Sequence, residues 1–459
     1  MKQSLKEESN KVKGLIGLEI HTYVLTKEKL FCNCIASREK GLKPNIHICP
    51  TCTGQPGAKP MLPNETAVEK AIQIGLMLGC KINEKLFWQR KHYSWPDLPK
   101  GYQNTISGKH AVSTGVEGNF QGIGIWSMHL EEDPASWDPE TGQVDYNRSG
   151  LPLVEIITAP EFTSSEQVML WLTKLVHNLA YLKAADSNAG IKVDVNVNIP
   201  GKTERVEIKN MSSIENIGKA IEYELERQAK EGSVKETRRF DPAKNKTMKM
   251  RTKEGAEDYR FISDPDLQPI ILDKQMINKI KETIPESPEV KLKNVIKTYK
   301  IGEKDAEVLT KNIDIALFFE EIAKKVDAKF ALPWVTGELL RFLNYNKASL
   351  DKVDLKAEHF IALLNLVKSQ KITELQGKQL LNKFYPKSFM PLAVEGKISD
   401  KKELEKIADK VMKDNPKAVQ DFKAGEPKAL DFLMGEIMKT TNRRADFRIA
   451  KEILSRLLS

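Results

Sequence analysis

The hydrophobic pattern changes character along the chain. Up to about residue 290, short alternating runs predominate. In Leu15-Ile16-Gly17-Leu18-Glu19-Ile20-His21-Thr22-Tyr23, the apolar Ile16, Leu18 and Ile20 fall on one face and Gly17, Glu19, His21 and Tyr23 on the other, the two-residue period of a half-buried strand. Val193, Val195, Val197 and Ile199 alternate in the same way with Lys192, Asp194, Asn196 and Asn198, and Val206 and Ile208 with Glu207 and Lys209. One apolar and one polar face indicates an antiparallel or mixed sheet rather than a parallel sheet covered on both sides. Helical periodicity predicts helices over 65–79, 165–182 and 214–230, the second capped by Ser164 with Gln167 in the capping-box position. Beyond these, the chain reads as almost continuous helix. The change falls at Ile284-Pro285-Glu286-Ser287-Pro288, where two prolines interrupt regular structure, and a second joint is expected at Glu395-Gly396-Lys397. The expectation is α+β: a sheet domain over 1–290, an all-α domain over 291–396 and a Lys-rich helical tail over 397–459.

A chain of 459 residues exceeds what a single core serves, and an apolar share of 40% suffices for several. Its 72 basic and 63 acidic residues give a net charge of +9, which suits a polyanionic partner. The charged start MKQSLKEESNKVKG has no apolar run of a signal peptide, and no later stretch approaches the roughly 18 apolar residues of a membrane span, so a cytoplasmic protein with no membrane partner is expected.

Cytoplasmic cysteines are normally reduced, which makes grouped thiols a question about metal. Cys32-Asn33-Cys34 and Cys49-Pro50-Thr51-Cys52 form a CxC and a CxxC around a loop rich in Lys, Gly and Pro. Two such knuckles can close a tetrahedral structural zinc site. His47 is an alternative to one thiolate, and two coincidental pairs are the plain competing explanation. Cys80, inside an apolar run, reads as a buried small hydrophobe.

The polar strand faces carry the other candidate chemistry. Glu19 with His21, the run His129-Leu130-Glu131-Glu132-Asp133, and Asp194 with Asn196 set carboxylate and imidazole groups in strand-like contexts. Glu155 lies inside Leu153-Val154-Glu155-Ile156-Ile157. A carboxylate in so apolar a strand is costly unless a cation meets it, and magnesium between carboxylates and phosphate oxygens would do so. No phosphate loop is present: Gly201-Lys202-Thr203 has Asn196 where the motif requires glycine, and Gly122-Ile123-Gly124 lacks the third glycine of a dinucleotide fingerprint. Phosphate contacts then fall to basic residues such as Lys209, Arg238, Arg239, Arg251 and Arg260.

These residues together resemble the GatB subunits of the heterotrimeric GatCAB amidotransferase. The likeness runs through Gly17 to His21, Leu30 to Cys34, Cys49 to Gly57, Arg90 to Gln103, His129 to Asp133, Asp145 to Glu155, Glu207 to Asn210, Glu236 to Asp241 and Asp258 to Phe261. It implies a cradle-shaped domain similar to the catalytic sheet of glutamine synthetase and guanidino kinases, then a helical domain and a YqeY-like tail that includes Phe432 to Lys439. It also implies ATP-dependent phosphorylation of the side-chain carboxylate of a misacylated Glu-tRNA(Gln) or Asp-tRNA(Asn). Ammonia channelled from an amidase partner then displaces the phosphate, in a complex completed by a small third subunit. On the family pattern the catalytic set is Glu19, His21, Glu132, Glu155, Asp194 and Lys209. Magnesium falls to His21, Glu132 and Glu155, with Glu132 also at the mouth of the ammonia tunnel, and tRNA contacts fall to Lys439, Arg443, Arg444 and Arg448. Two competing readings are a catalytically silent zinc-containing tRNA-binding scaffold, which has no use for the strand carboxylates, and the GatE relatives, whose additional synthetase-like insertion 459 residues do not accommodate.

Overall fold

The computed structural model describes residues 12–39, 41–186, 190–252, 259–391, 398, 400–441 and 443–458. The chain divides into two compact units, Met1–Ser287 and Pro288–Ser459. The joint expected at Glu395-Gly396-Lys397 lies outside the described residues.

The first unit is built on a sheet of twelve strands. In chain order its elements are β1 (Leu15–Tyr23), α1 (Glu65–Met77), β2 (Lys81–Ile82), β3 (Gln89–His92), β4 (Gln103–Thr105), β5 (Gly115–Phe120), β6 (Ile123–Glu132), β7 (Pro152–Thr158), α2 (Ser165–Leu182), β8 (Ile191–Asn198), β9 (Val206–Met211), α3 (Ile214–Glu231), β10 (Glu236–Asp241), β11 (Lys246–Thr252) and β12 (Arg260–Ser263). The spatial order is β11-β10-β9-β8-β1-β7-β6-β4-β3-β12, with β5 paired to β6 and β2 to β5. Each of these pairs is antiparallel except β9 with β10, which run parallel. This is the mixed sheet that the alternating pattern predicts.

One face is a core. Ile16, Leu18 and Ile20 of β1, Val154 and Ile156 of β7, Val193, Val195 and Val197 of β8, and Val206 and Ile208 of β9 are buried together with Ile72 of α1, Leu172 and Leu175 of α2 and Ile217 and Ile221 of α3. Excluding these branched chains from water is the main favourable term in holding the sheet to its helices. The other face keeps the polar members of each strand. Ser164 caps α2 as expected, accepting from the Gln167 N–H, but the Gln167 side chain accepts from Thr163 N at 2.9 Å, one residue earlier than a capping box requires. α1 stops at Met77, short of the expected residue 79, because Gly79 turns to φ +71 against the backbone of Asn119. A Cβ there would lie 2.9 Å from the Asn119 carbonyl oxygen, so the helix ends on glycine.

The second unit is helical. One core gathers Phe319, Trp334, Phe342, Phe360 and Phe384, and another gathers Leu404, Leu433, Ile437, Ile453, Leu454 and Leu458.

Ile20 is fully buried in the central strand. Ile20→Ala should cost the first unit roughly 2–5 kcal/mol, read as an earlier transition in urea by far-ultraviolet circular dichroism. A loss below about 1 kcal/mol would mean the site collapses around the cavity.

Candidate active site and metal centres

Strand register assembles the polar face. His21 of β1 lies opposite Glu155 of β7 and Lys192 of β8, and Glu19 lies opposite Asp194. Glu155 is in turn opposite His129 of β6, and Asn196 opposite Glu207 of β9. Two donor sets result: His21, Glu131 and Glu155 offer ligand atoms all within 4.8 Å of one another, and so do Glu19, Asp194 and Glu207.

The charges on this face are unevenly satisfied. His129 is fully buried, with its Nε2 2.9 Å from Glu155 Oε2 and 3.8 Å from Glu131 Oε2. Burial disfavours its charge, but the Glu155 and Glu131 carboxylates outweigh that and raise its pKa. Glu155 is held the other way: burial opposes ionisation, yet His129, His21 and Lys91 keep it well below the usual carboxylate range. Burial and then the Glu155 charge push Glu131 up. Burial, Glu155 and Glu207 do the same to Glu19. Lys209 bridges the second set, 3.0 Å from Asp194 Oδ2 and 3.1 Å from Glu207 Oε1; burial lowers its pKa, but those two carboxylates raise it above the usual lysine range. Carboxylates raised by like charge are eased by a divalent cation. Oxygen-rich donor sets of this kind fit magnesium.

Glu132 does not join the donor sets. It is one residue from Glu131 on β6 and so faces the other way, where Oε1 accepts from Lys100 Nζ at 2.5 Å and from Asn104 N at 2.8 Å. The carboxylate brought to His21 and Glu155 is Glu131, a residue that two-residue counting from His129 would have found. Arg238 is likewise turned away from the ligand face. Its guanidinium pairs with Glu236 Oε1 at 2.8 Å and lies 3.5 Å from Glu224 Oε2 of α3. Arg239, next along β10, is opposite Lys209 and exposed. Arg260 is exposed on β12, and the Arg251 side chain lies outside the described residues. Of these basic residues, Lys209 and Arg239 lie on the face that carries the donor sets and Arg238 does not.

The four cysteines Cys32, Cys34, Cys49 and Cys52 gather with sulfurs within 4.8 Å of one another. His47 serves through its backbone instead, its N–H donating to Asn147 Oδ1 at 2.9 Å and its carbonyl accepting from Lys29 Nζ at 2.8 Å. Thiols this close share protons. A hydrogen bond from Cys32, with further help from the Lys29 charge, draws Cys52 down to about 5, while burial lifts Cys34 to about 11. The donor set fits zinc. Cys80 is a buried core residue, as its context suggests.

In the second unit Lys439, Arg443, Arg448, Lys451 and Arg456 are exposed, and Arg444 is partly buried. Lys439 Nζ is 3.4 Å from Glu436 and Arg456 pairs with Glu405 at 2.7 Å, so the local cationic excess is smaller than the order of charges along the chain suggests.

The open face of the sheet thus carries two acidic donor sets that could each hold a cation. The family model of the GatB/GatE catalytic domain matches residues 14–278, that of the GatB domain matches residues 317–458, and the chain belongs to the GatB family. A Methanocaldococcus jannaschii protein described as the B-type subunit of aspartyl/glutamyl-tRNA(Asn/Gln) amidotransferase is 42% identical over 469 residues, spanning 97% of this chain and 98% of its own. Proteins so described from Methanococcus maripaludis (39% over 462 residues, 96% and 97%) and Methanothermobacter thermautotrophicus (40% over 441 residues, 94% and 97%) are similarly close. Among the described residues no helix is long and apolar enough to cross a membrane.

Protein purified without chelator should carry about one zinc per chain by elemental analysis. Cys49→Ser should lose it and loosen the loop after Cys52, measured by limited proteolysis. Metal-free wild-type protein with an ordered loop would refute the assignment.

Proposed function

We propose that this chain is the carboxylate-activating subunit of a tRNA-dependent amidotransferase, a ligase working with an amidase subunit and a small third subunit. The observation that carries the reading is the pair of donor sets, His21-Glu131-Glu155 and Glu19-Asp194-Glu207, side by side on one open sheet face. The cradle is read as similar to the glutamine synthetase and guanidino kinase sheet. The second unit is read as a helical domain to residue 396 and a YqeY-like tRNA-binding tail from 397.

In this reading the side-chain carboxylate of Glu or Asp esterified to tRNA attacks the terminal phosphoryl group of ATP, giving an acyl phosphate and ADP. Ammonia then displaces phosphate to leave the amide. Such transfer needs positioning and charge neutralisation more than a strong base. What bound magnesium supplies is neutralisation of the phosphate oxygens. His129 keeps Glu155 ionised for that purpose. Lys209, fixed between Asp194 and Glu207, and exposed Arg239 present positive charge to the phosphates. Glu132, paired with Lys100 on the other face, is assigned to ammonia delivery and not to metal.

The test is ATP- and glutamine-dependent amidation of each misacylated tRNA by the assembled heterotrimer. Glu131→Gln should lower turnover about 100-fold or more and raise the magnesium concentration required, and Glu155→Gln should do likewise while glutamine hydrolysis by the partner survives. Glu132→Gln should leave the magnesium requirement unchanged. The reverse pattern would overturn the assignment of Glu131 over Glu132.

For the tail, truncation from Lys439 would remove Ile453 and Leu454 from the core they share with Leu433 and Ile437, so charge substitution is the cleaner probe. Arg443→Gln, Arg448→Gln and Lys451→Gln together should weaken tRNA binding and flatten its salt dependence by about one slope unit for each phosphate no longer touched. Turnover at saturating tRNA should be unchanged. Equal salt slopes for both proteins would make the tail a solvated helix face.

A further inference from the structure

A buried cation stands beside the four-cysteine centre. Lys29 is 1% exposed and is among the largest fully buried side chains. Its Nζ donates to the His47 carbonyl at 2.8 Å and to the Tyr146 carbonyl at 3.0 Å. Among the described residues no carboxylate forms an ion pair with it. Its backbone belongs to the cysteine knuckle, Lys29 N donating to Cys34 O at 2.9 Å. Its stem and the Cys52 side chain border the same space over Gly150, where an added Cβ would meet Lys29 Cδ at 3.7 Å and Cys52 Cβ at 3.8 Å.

An ammonium buried without a counter-ion is expensive, and two carbonyls return only part of its hydration. Four thiolates around a divalent ion carry a net charge of about −2, which is expensive to bury for the same reason. Each of these costs is relieved by the other. The ammonium has three donors, and the two carbonyls take two of them.

We propose that Lys29 is the built-in counter-charge of the Cys32-Cys34-Cys49-Cys52 centre, a positioning residue whose buried ammonium neutralises the metal tetrathiolate through space. The inference rests on the reading of that centre as a zinc site. It makes the site selective for a metal state of net negative charge: four thiolates with a divalent ion bind better beside a fixed cation than any ligand set carrying less negative charge.

The experiment uses the full-length chain. Zinc dissociation constants are measured by competition with a chromogenic chelator for wild type, Lys29→Met, Lys29→Gln and, as control, Lys43→Met. Lys43 is an exposed residue of the same loop. Loss of a group supporting metal ligands typically weakens affinity about 10–100-fold, and that is the expectation for both Lys29 variants, with the Lys43 variant unchanged. Lys29→Gln retains a donor without the charge, so recovery of wild-type affinity in that variant alone would overturn the charge argument in favour of a simple hydrogen bond. Cobalt-loaded protein gives a second readout, since thiolate-to-cobalt absorption reports the ligand set even if Lys29→Met is poorly soluble and Lys29→Gln must carry the comparison. Tight zinc binding of equal strength in all four proteins would overturn the inference alone, as would equal weakening by Lys43→Met. Wild-type protein that takes up no zinc would overturn the zinc reading and this inference with it.

Discussion

Successive side chains of a strand point to opposite faces, and that alternation governs everything the first unit can do. Across β6, β7, β1, β8 and β9 it sends one set of residues into a dry core and the other toward a common open face. The antiparallel registers then decide which of the outward residues become neighbours. Five carboxylates, Glu19, Glu131, Glu155, Asp194 and Glu207, converge in this way. Like charges this close would drive a sheet apart if it were held by polar contacts alone. Here the branched chains on the reverse side hold it, and burial first, then the charge of Glu155, raises the Glu19 and Glu131 carboxyls.

On the reverse face the charged groups beside β10 are paired with one another. Glu224 of α3, Arg227, Arg238, Glu236 and Thr247 form a closed web: Arg227 Nη2 lies 2.6 Å from Glu224 Oε1, Arg238 Nη1 2.8 Å from Glu236 Oε1, and Thr247 Oγ1 donates to Glu224 Oε2 at 2.7 Å. Cations and carboxylates there satisfy each other, and Arg238 is turned away from the open face. The contrast with Lys209 is one of stoichiometry. On the open face one lysine serves Asp194 and Glu207 together, so negative charge is left over.

Much of this architecture was legible in the sequence because it follows from periodicity. The paired faces of β1, β8 and β9, the extents of α2 and α3 within a residue, and the cysteine cluster can all be read by counting positions. Counting failed where parity was not carried through. The acidic run after His129 offers two adjacent glutamates, and only strict alternation from His129 selects Glu131; the same parity separates Arg238 from Arg239. Residues whose importance comes from contacts distant in sequence were not legible at all. Lys29 reads as an ordinary loop lysine, and nothing local says that its ammonium will meet carbonyls of residues 47 and 146. Lys100 and Asn104 meet Glu132 only because β4 pairs with β6 near its end.

That last pairing gives β6 a place in two polar systems at once. His129 and Glu131 face the open side, while Glu132, one residue further and so roughly 3.3 Å along the strand, faces the other. Glu132 is tied through Asn104 to Asp264, whose carboxylate takes Arg90 Nε and Nη2 at 3.1 Å each, and Arg90 continues to Asp266 at 2.6 Å. Asn104 and the Asp264 side chain are fully buried, and a satisfied buried polar network of this kind is stiff, since every displaced donor would be left unpaired. The end of β6 is therefore clamped from behind by hydrogen bonds while its front face carries a repelling carboxylate. Donor groups act together only when held to within fractions of an ångström, and at the end of β6 that hold comes from the hydrogen-bonded network on the reverse side.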